Sequence, residues 1–515
     1  MVVRTRRRTT RWNLLFHSVS IGFGMVSGIL MMPLNIRFIP INLYGAWMAS
    51  GNVLVWLTVV DPGLSTVLQQ LVAHAYGRGD RDKVSALIWS GIGISAVLVT
   101  ILGIAGAFLI PALPIILNLP SSIDWPTLRL ACSIELVASV LTVFGFAVTA
   151  SNQGLQSSLG IGSAYVVANI FAISFQVGLL FTGHGVISIP LANLVRGGGM
   201  LAGSLFYLGY RMRSEEYRLR PVFSEVRSVL KVLSFTFFGR IANVLSANLD
   251  NVFVARTLGT SMVPVLRLTR APIDLCATFV QRPAVAMAPA VAHIVGAGEV
   301  EQKRGVLLRF TALASWTIFL TSAGFASLNH AFVKLWVGER FFAGATVNSV
   351  LVANSVMLAI VGTMSVLTFA LGNIKNSTLI SGFQSILTVF LLYVGSRYYG
   401  LLGIVAAPLA ASVLLGGWYQ PISFARRAKL DRRQVSGAIL EFLKSAAAGA
   451  VAVAIGCLFS PQTWLAFGIA VVAVVGAFAG VLGAISATFR KEIKAASLAA
   501  GISGSKYLGW YNGSS

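Results

Sequence analysis

The sequence predicts an all-α polytopic membrane protein of about fourteen transmembrane helices, a fold class that three observations support. Hydrophobic residues make up 56% of the 515-residue chain, charged residues only 11%, and the mean hydropathy is +0.81. A chain this apolar cannot bury its surface in soluble domains, so its solvent must be lipid. The apolar residues form runs near the roughly 20 residues that a helix needs to cross about 30 Å of hydrocarbon. Basic residues gather in alternate connections between these runs.

The apolar runs can be divided into spans along the chain. Spans two and eight exceed the thickness of the bilayer and contain prolines, so we expect both to be kinked or tilted. The approximate limits of the predicted spans are 13–36, 43–76, 84–110, 127–149, 157–182, 186–208, 230–255, 262–293, 305–328, 347–371, 378–396, 401–424, 438–460 and 464–487.

The distribution of Arg and Lys predicts the orientation of the chain. If the connections alternate sides, one set contains about 26 basic residues and the other about five. Cytoplasmic connections carry such an excess, so both termini are expected in the cytoplasm. The net charge of +23 then reflects topology and contact with anionic membrane lipids, and no nucleic acid partner is predicted.

A weak internal repeat predicts the architecture. Residues 72–80 align with residues 291–299 with five identities in nine positions, and the same register sets Arg37 against Arg256. Six spans separate the copies, so both run in the same direction through the membrane and a pseudo-two-fold axis along the membrane normal relates them. This predicts two six-helix lobes around a central cleft, plus two C-terminal helices. The predicted domains are an N-lobe (1–210), a cytoplasmic linker (211–229), a C-lobe (230–424), an appended helix pair (425–487) and a basic cytoplasmic tail (488–515).

Five arginines lie too far inside the spans to reach the membrane surface easily. An unmatched buried charge costs several kcal/mol unless it faces water or a counter-ion. The guanidinium group also suits phosphate, which it binds through two parallel hydrogen bonds. We therefore predict a wet, cationic cavity, weighted toward the second lobe, that binds an anionic substrate. Its candidate residues are Arg196, Arg240, Arg267, Arg270 and Arg282.

Acidic and neutral polar residues accompany these arginines inside the spans. The candidates for coupling transport to an ion are Asp61, Glu135, Asp250 and Asp274. The candidates for the polar lining of the cavity are His17, Ser20, Asn193 and Asn243. Helix packing is the alternative role for such polar faces. Arg270 and Asp274 are spaced i, i+4, so a structural ion pair is the alternative for them.

No motif in the sequence indicates an enzyme, a cofactor or a metal site. The three cysteines are scattered, and neither a phosphate-binding loop nor a nucleophile elbow is present. The outer connections near 111–126 and 329–346 are short, which disfavours a membrane glycan polymerase or ligase. An antiporter for organic cations is the other alternative, and it would need acids to dominate the cavity.

A family resemblance follows from three stretches: Tyr-Gly-Ala-Trp at 44–47, Asp-Pro-Gly-Leu at 61–64 and the charged turn after Tyr76. Together they resemble the start of Wzx-type O-antigen flippases, polysaccharide-biosynthesis proteins of the multidrug/oligosaccharidyl-lipid/polysaccharide (MOP) exporter superfamily. The resemblance implies a flippase of the bacterial inner membrane that moves undecaprenyl-diphosphate-linked oligosaccharide outward by alternating access.

The same resemblance implies coupling to H⁺ or Na⁺. It also implies that the protein acts together with a polysaccharide polymerase and glycosyltransferases in surface polysaccharide biosynthesis. Lipid II flippases that resemble this family carry arginines in their first two spans. Here only Arg37 lies there, at a boundary, so we expect a different lipid-linked substrate.

Overall fold

The computed structural model describes residues 22–24, 27–55, 63–155, 157–217, 226, 249–274, 300–371 and 374–499. These residues are helical apart from short turns, and no strand occurs among them. The helices are α1 (27–38), α2 (Ile41–Val55), α3 (Leu64–Gly77), α4 (Arg81–Leu117), α5 (Trp125–Gly154), α6 (Ser158–Phe181), α7 (Ser188–Ser214), α8 (Asp250–Leu258), α9 (262–274), α10 (Val300–Trp336), α11 (Ala345–Ala370), α12 (Ile374–Ala411), α13 (Gly417–Arg427), α14 (Arg432–Gly456), α15 (Trp464–Ile485) and α16 (Ala487–Ala499).

The predicted fold class, an all-α polytopic membrane protein, is confirmed. Nine helical stretches within the described residues are long and apolar enough to cross a bilayer. Many of their large apolar side chains point outward, for example Phe108 and Leu465, each 78% exposed. Exposing such side chains to water would cost free energy. Because lipid is the solvent for such surfaces, the chain is a multi-pass membrane protein. The count of fourteen spans stays a prediction.

Glycines in the left-handed region break two of the long apolar stretches. Gly63 precedes α3 with φ 98°, so span two is not one continuous helix. Gly400 interrupts α12 with φ 56° and ψ −132°, between predicted spans eleven and twelve. The chain folds back there, and the backbones of the two arms come very close. A Cβ added at Gly395 would lie 2.6 Å from the carbonyl oxygen of Gly403. The two arms form a tight hairpin, which Gln384 Nε2 also joins to Ser412 Oγ at 2.9 Å.

The described chain divides into two compact units. Unit 1 comprises 1–269, 336–347 and 378–416, and unit 2 comprises 270–335, 348–377 and 417–515. The core of unit 1 forms where α3, α4, α5 and α7 pack together. Leu68, Leu87 and Val148 are among its fully buried side chains. The lobe boundaries expected from the repeat stay a prediction, and copy 291–299 lies outside the described residues.

Unit 2 has its core between α10, α14 and α15, where Trp316 and Phe478 pack against Ala448 and Ala452. A buried carboxylate lies at the edge of this core. Glu441 accepts hydrogen bonds from Trp316 Nε1 at 3.1 Å and from the Ser486 hydroxyl. Lys444 Nζ is 3.9 Å from its second oxygen. These partners offset the cost of burying a charge, so Glu441 ties α14 to both α10 and the α15–α16 junction.

The start of α5 depends on an exposed acidic cap. Asp124 accepts hydrogen bonds from the Thr127 amide at 3.2 Å and from its hydroxyl at 2.6 Å. These bonds hold the pKa of Asp124 below its ordinary value of 3.8. The ionised cap therefore stabilises the folded protein fully at pH values above 3.8. This stabilisation is lost as the pH falls through the lower pKa of Asp124 in the folded state.

We expect Asp124→Ala to lower the melting temperature at neutral pH, because α5 loses a cap. The difference from the wild type should shrink at strongly acidic pH, where Asp124 is protonated. Thermal unfolding of the purified protein across a pH series measures this. Asp124→Asn is the matched control, since it keeps an acceptor oxygen but does not titrate. A difference between Asp124→Ala and the wild type that is independent of pH would contradict the role of the ionised cap.

Candidate functional site

Three of the predicted site residues meet inside unit 1, between α5 and α7. Asn193 Nδ2 donates to Glu135 Oε2 at 2.9 Å, and Arg196 Nη1 donates to Asn193 Oδ1 at 3.3 Å. Asn193 thus lies between a carboxylate and a guanidinium and bonds to both. We call Glu135, Asn193 and Arg196 the polar triad.

The triad exists because α5 and α7 approach closely beside it. Gly197 follows Arg196 in the chain, and a Cβ at this position would lie 2.7 Å from Thr142 Oγ1 and 3.1 Å from the Ala138 carbonyl. Only glycine lets the two helices come this near. Glu135 lies about 15 Å and Arg196 about 12 Å along their helices from the N-terminal ends, at 1.5 Å per residue. Both groups therefore lie away from the helix ends, inside helices that are long and apolar enough to cross a bilayer.

One N–H group of the triad has no hydrogen-bond acceptor among the described residues. Arg196 is half-buried, and its Nε is buried without a hydrogen-bond partner among the residues that the structure describes. A buried, unbonded N–H of a charged group is costly, because it has given up water without a replacement. The arrangement can therefore bind a water molecule or an anionic oxygen at Arg196. Glu135 supplies the balancing negative charge through Asn193.

The other described candidates lie elsewhere. In unit 2, Arg270 Nε is 3.0 Å from Asp274 Oδ1, which is the ion pair that their i, i+4 spacing suggests. In unit 1, Arg267 is exposed on α9 and lies near enough to Tyr44 to interact electrostatically with it. Asp250 is buried at the start of α8, where it accepts from the Asn251 amide at 2.8 Å. Their roles in transport stay predictions.

Six of the predicted site residues lie outside the described residues. They are Arg240 and Arg282 of the cationic set, His17, Ser20 and Asn243 of the polar lining, and Asp61 of the acidic set. Their placement in the cavity and their part in ion coupling stay predictions.

Sequence reasoning missed three polar contacts that the structure reveals. Asn35 accepts from Gln176 Nε2 at 3.2 Å and donates to the Tyr44 hydroxyl at 3.5 Å, although the chain separates Asn35 from Gln176 by 141 positions. Arg256 Nη1 donates to the last carbonyls of α4, Ile115 and Ile116, at 3.0 and 2.9 Å. No sequence signal indicates these two pairings.

The third missed contact is the Glu441 cluster of unit 2. An acid and a lysine three positions apart inside an apolar span, as at Glu441 and Lys444, are neighbours on a helix surface. That spacing could have indicated it.

The described residues contain no cluster of three or more His, Cys, Asp or Glu side chains that could hold a metal ion. Cys132 is buried and Cys457 is exposed, and both are free thiols.

Comparisons with known proteins identify the fold. No family profile and no curated protein sequence matches the chain. Among solved structures, the lipid II flippase MurJ in an inward closed conformation is similar, with a TM-score of 0.66 and 16% identity over 93% of this chain and 100% of that one.

Multidrug transporters share the fold as well. A mutant of the Vibrio cholerae MATE transporter VcmN has a TM-score of 0.57 and 16% identity, covering 84% of this chain and 98% of its own. An inward-facing MATE family transporter of the MOP superfamily has a TM-score of 0.56 and 15% identity, covering 78% and 99%. The chain is therefore a multi-pass membrane protein with the helical fold that a lipid II flippase and MATE transporters share.

Proposed function

We propose that this protein is a flippase that moves undecaprenyl-diphosphate-linked oligosaccharide from the cytoplasmic to the outer leaflet by alternating access. The product would supply surface polysaccharide biosynthesis, beside a polymerase and the glycosyltransferases. The proposal includes a location in the bacterial inner membrane with both termini in the cytoplasm. The single observation that carries it is the Arg196 guanidinium inside a helix long and apolar enough to span a membrane, with a buried Nε that no described residue binds.

The chemistry of the substrate fits such a guanidinium. A diphosphate has several anionic oxygens, and arginine binds them through charge-assisted hydrogen bonds. Each sugar hydroxyl would cost a few kcal/mol if it entered hydrocarbon unpaired, so the headgroup requires a polar path while its lipid tail stays in the bilayer. With the cell interior negative, outward movement of a negative charge gains about 2.3 kcal/mol per elementary charge per 100 mV.

The fold supports a flippase without fixing its substrate. A structure similar over 93% of this chain is a lipid II flippase, so the fold can accommodate a lipid-linked headgroup. At 16% identity, this likeness supports a shared fold and nothing about the substrate. The sparse arginines in the first two spans favour an oligosaccharide other than that of lipid II.

Ion coupling is proposed for Glu135. Its bond to Asn193 links it to Arg196, so binding H⁺ or Na⁺ at Glu135 would change the charge balance beside the arginine. Occupancy of Glu135 by a cation and of Arg196 by an anionic substrate would then change each other's affinity by the same factor, which is the thermodynamic basis of coupling. The other acidic candidates, Asp61, Asp250 and Asp274, remain proposals for the same role.

Deleting the gene tests the proposal directly. We expect a lipid-linked oligosaccharide to accumulate with its headgroup on the cytoplasmic side, and surface polysaccharide to fall. Mass spectrometry of extracted lipids identifies the intermediate. Labelling by a membrane-impermeant probe, before and after opening the cells, locates its headgroup. Complementation with the wild-type gene is the control, and an unchanged pool of lipid-linked intermediates would contradict the proposal.

A multidrug antiporter is the second candidate, because several of the similar structures are MATE transporters. The same deletion separates the two functions. An antiporter predicts greater sensitivity to organic cations with unchanged surface glycan. The flippase predicts altered glycan with unchanged sensitivity.

A further inference from the structure

A groove of about 410 Å³ lies between α6 and α7, within unit 1. Apolar side chains supply most of its walls, among them Val167, Phe171 and Val195. Val167 is 51% and Phe171 65% exposed, so the groove opens on the outside of the helix pair. Both helices are membrane spans, and the medium outside them is therefore lipid.

The groove has a polar end and an apolar end. Ser163 and Tyr207 line it at one end, where their hydroxyls are 3.4 Å apart. Phe171 and Val195 line the other end. Because α6 and α7 run antiparallel, Ser163 and Tyr207 lie near the predicted cytoplasmic ends of their helices. A tyrosine at that level is typical of the boundary between headgroups and hydrocarbon.

The length of the groove corresponds to one leaflet. Ser163 to Phe171 spans about 12 Å along α6, and Val195 to Tyr207 about 18 Å along α7, at 1.5 Å per residue. Half of a hydrocarbon layer about 30 Å thick is about 15 Å. The groove thus matches one lipid chain that enters from the predicted cytoplasmic leaflet.

Two glycines of α7 form the floor of the groove. A Cβ at Gly203 would lie 2.6 Å from Ala164 Cβ, and one at Gly199 would lie 3.2 Å from Ala168 Cβ. The helices touch along this line, and the larger side chains on either side of it leave the groove open. The floor is therefore set by contact between the glycine backbone of α7 and alanine methyl groups of α6, neither of which can rotate to fill the groove.

The chemistry of the two ends limits what can occupy the groove. The hydroxyls of Ser163 and Tyr207 can hydrogen-bond a polar headgroup, and the apolar walls suit a hydrocarbon chain. Phospholipid of the surrounding bilayer satisfies all of these conditions at once.

We propose that this groove binds one acyl chain of a phospholipid of the cytoplasmic leaflet, with its headgroup beside Ser163 and Tyr207. The site is separate from the polar triad and does not depend on which substrate is transported. A bound lipid would fill the space between α6 and α7 and stabilise their packing.

Native mass spectrometry tests the proposal with protein reconstituted in vesicles of equimolar phosphatidylglycerol and phosphatidylcholine. Val167→Trp places a bulky ring in the groove at an already exposed position. We expect it to reduce retained phosphatidylglycerol about tenfold, equivalent to about 1.4 kcal/mol of binding free energy. Ile170→Trp is the matched control, because Ile170 is 48% exposed on the same helix and does not line the groove. It should retain the wild-type amount.

A second variant keeps the test decisive if Val167→Trp folds poorly. Tyr207→Phe keeps the ring but removes the hydroxyl, so it should lower the amount of retained phospholipid. Equal lipid retention by the wild type, both tryptophan variants and Tyr207→Phe would overturn the proposal. So would preferential retention of a polyprenyl phosphate, added as competitor, in place of phospholipid. Neither outcome bears on the flippase proposal, whose readout is the accumulated intermediate.

Discussion

Replacing Arg196 with alanine is expected to abolish transport while the chain remains folded in the membrane. The change removes the guanidinium that we propose binds the diphosphate, and it leaves the Glu135–Asn193 hydrogen bond in place. Hydrogen bonds to charged groups contribute about 1.5–3 kcal/mol each. Loss of one or two of them, about 1.5–6 kcal/mol in total, predicts a transport rate reduced roughly ten- to ten-thousandfold.

The measurement is complementation of the deletion strain, scored by surface polysaccharide and by the lipid-linked intermediate. Protein in the membrane is quantified in parallel. Arg196→Lys keeps the positive charge without the bidentate fork, so we expect partial activity from it.

Arg129→Ala is the matched control, since Arg129 is exposed on α5 of the same unit. Wild-type transport by Arg196→Ala at normal abundance would refute the proposed role of Arg196. An equal loss in Arg129→Ala would show that the effect is not specific to the triad.

The largest effect on folding is expected from Gly403→Leu. A Cβ at Gly403 would overlap the carbonyl group of Gly395, which belongs to the backbone of the other arm of the hairpin in α12. Overpacking between side chains typically costs about 1–3 kcal/mol. Here no side chain can move aside, so the cost should exceed that range and the two arms should separate.

The yield of monodisperse protein and its melting temperature measure this effect. Gly382→Leu is the matched control, because a Cβ at Gly382 on the same helix meets no atom within 4 Å. We expect the control to be folded and at least as stable as the wild type, since leucine favours helix more than glycine does. If Gly403→Leu were as stable as Gly382→Leu, the close approach of the two arms would be wrong.

Sequence patterns indicated part of the candidate site. A charged residue inside an apolar span is costly, so Glu135 and Arg196 could be singled out without a structure. Their connection through Asn193 could not be predicted. The chain separates Glu135 from Asn193 by 58 positions, and their contact depends on how α5 and α7 are rotated about their axes.

Contacts of two other basic side chains differ in what the sequence can indicate. Lys444 Nζ lies 3.9 Å from Glu441. The Arg256 guanidinium bonds the end of α4. The spacing of Glu441 and Lys444 on one helix makes them neighbours, whereas the partners of Arg256 lie 140 and 141 positions earlier in the chain, which local periodicity does not encode.

The amino-acid sequence by itself determined that this protein is helical and resides in a membrane. Its apolar runs leave hydrocarbon as the solvent, and backbone groups in hydrocarbon must bond within their own helix. The tertiary structure alone decided which polar groups meet, as in the Glu135, Asn193 and Arg196 triad and around Glu441. Such meetings depend on small residues such as Gly197 that let helices touch, and on helix rotations that many weak packing contacts set together.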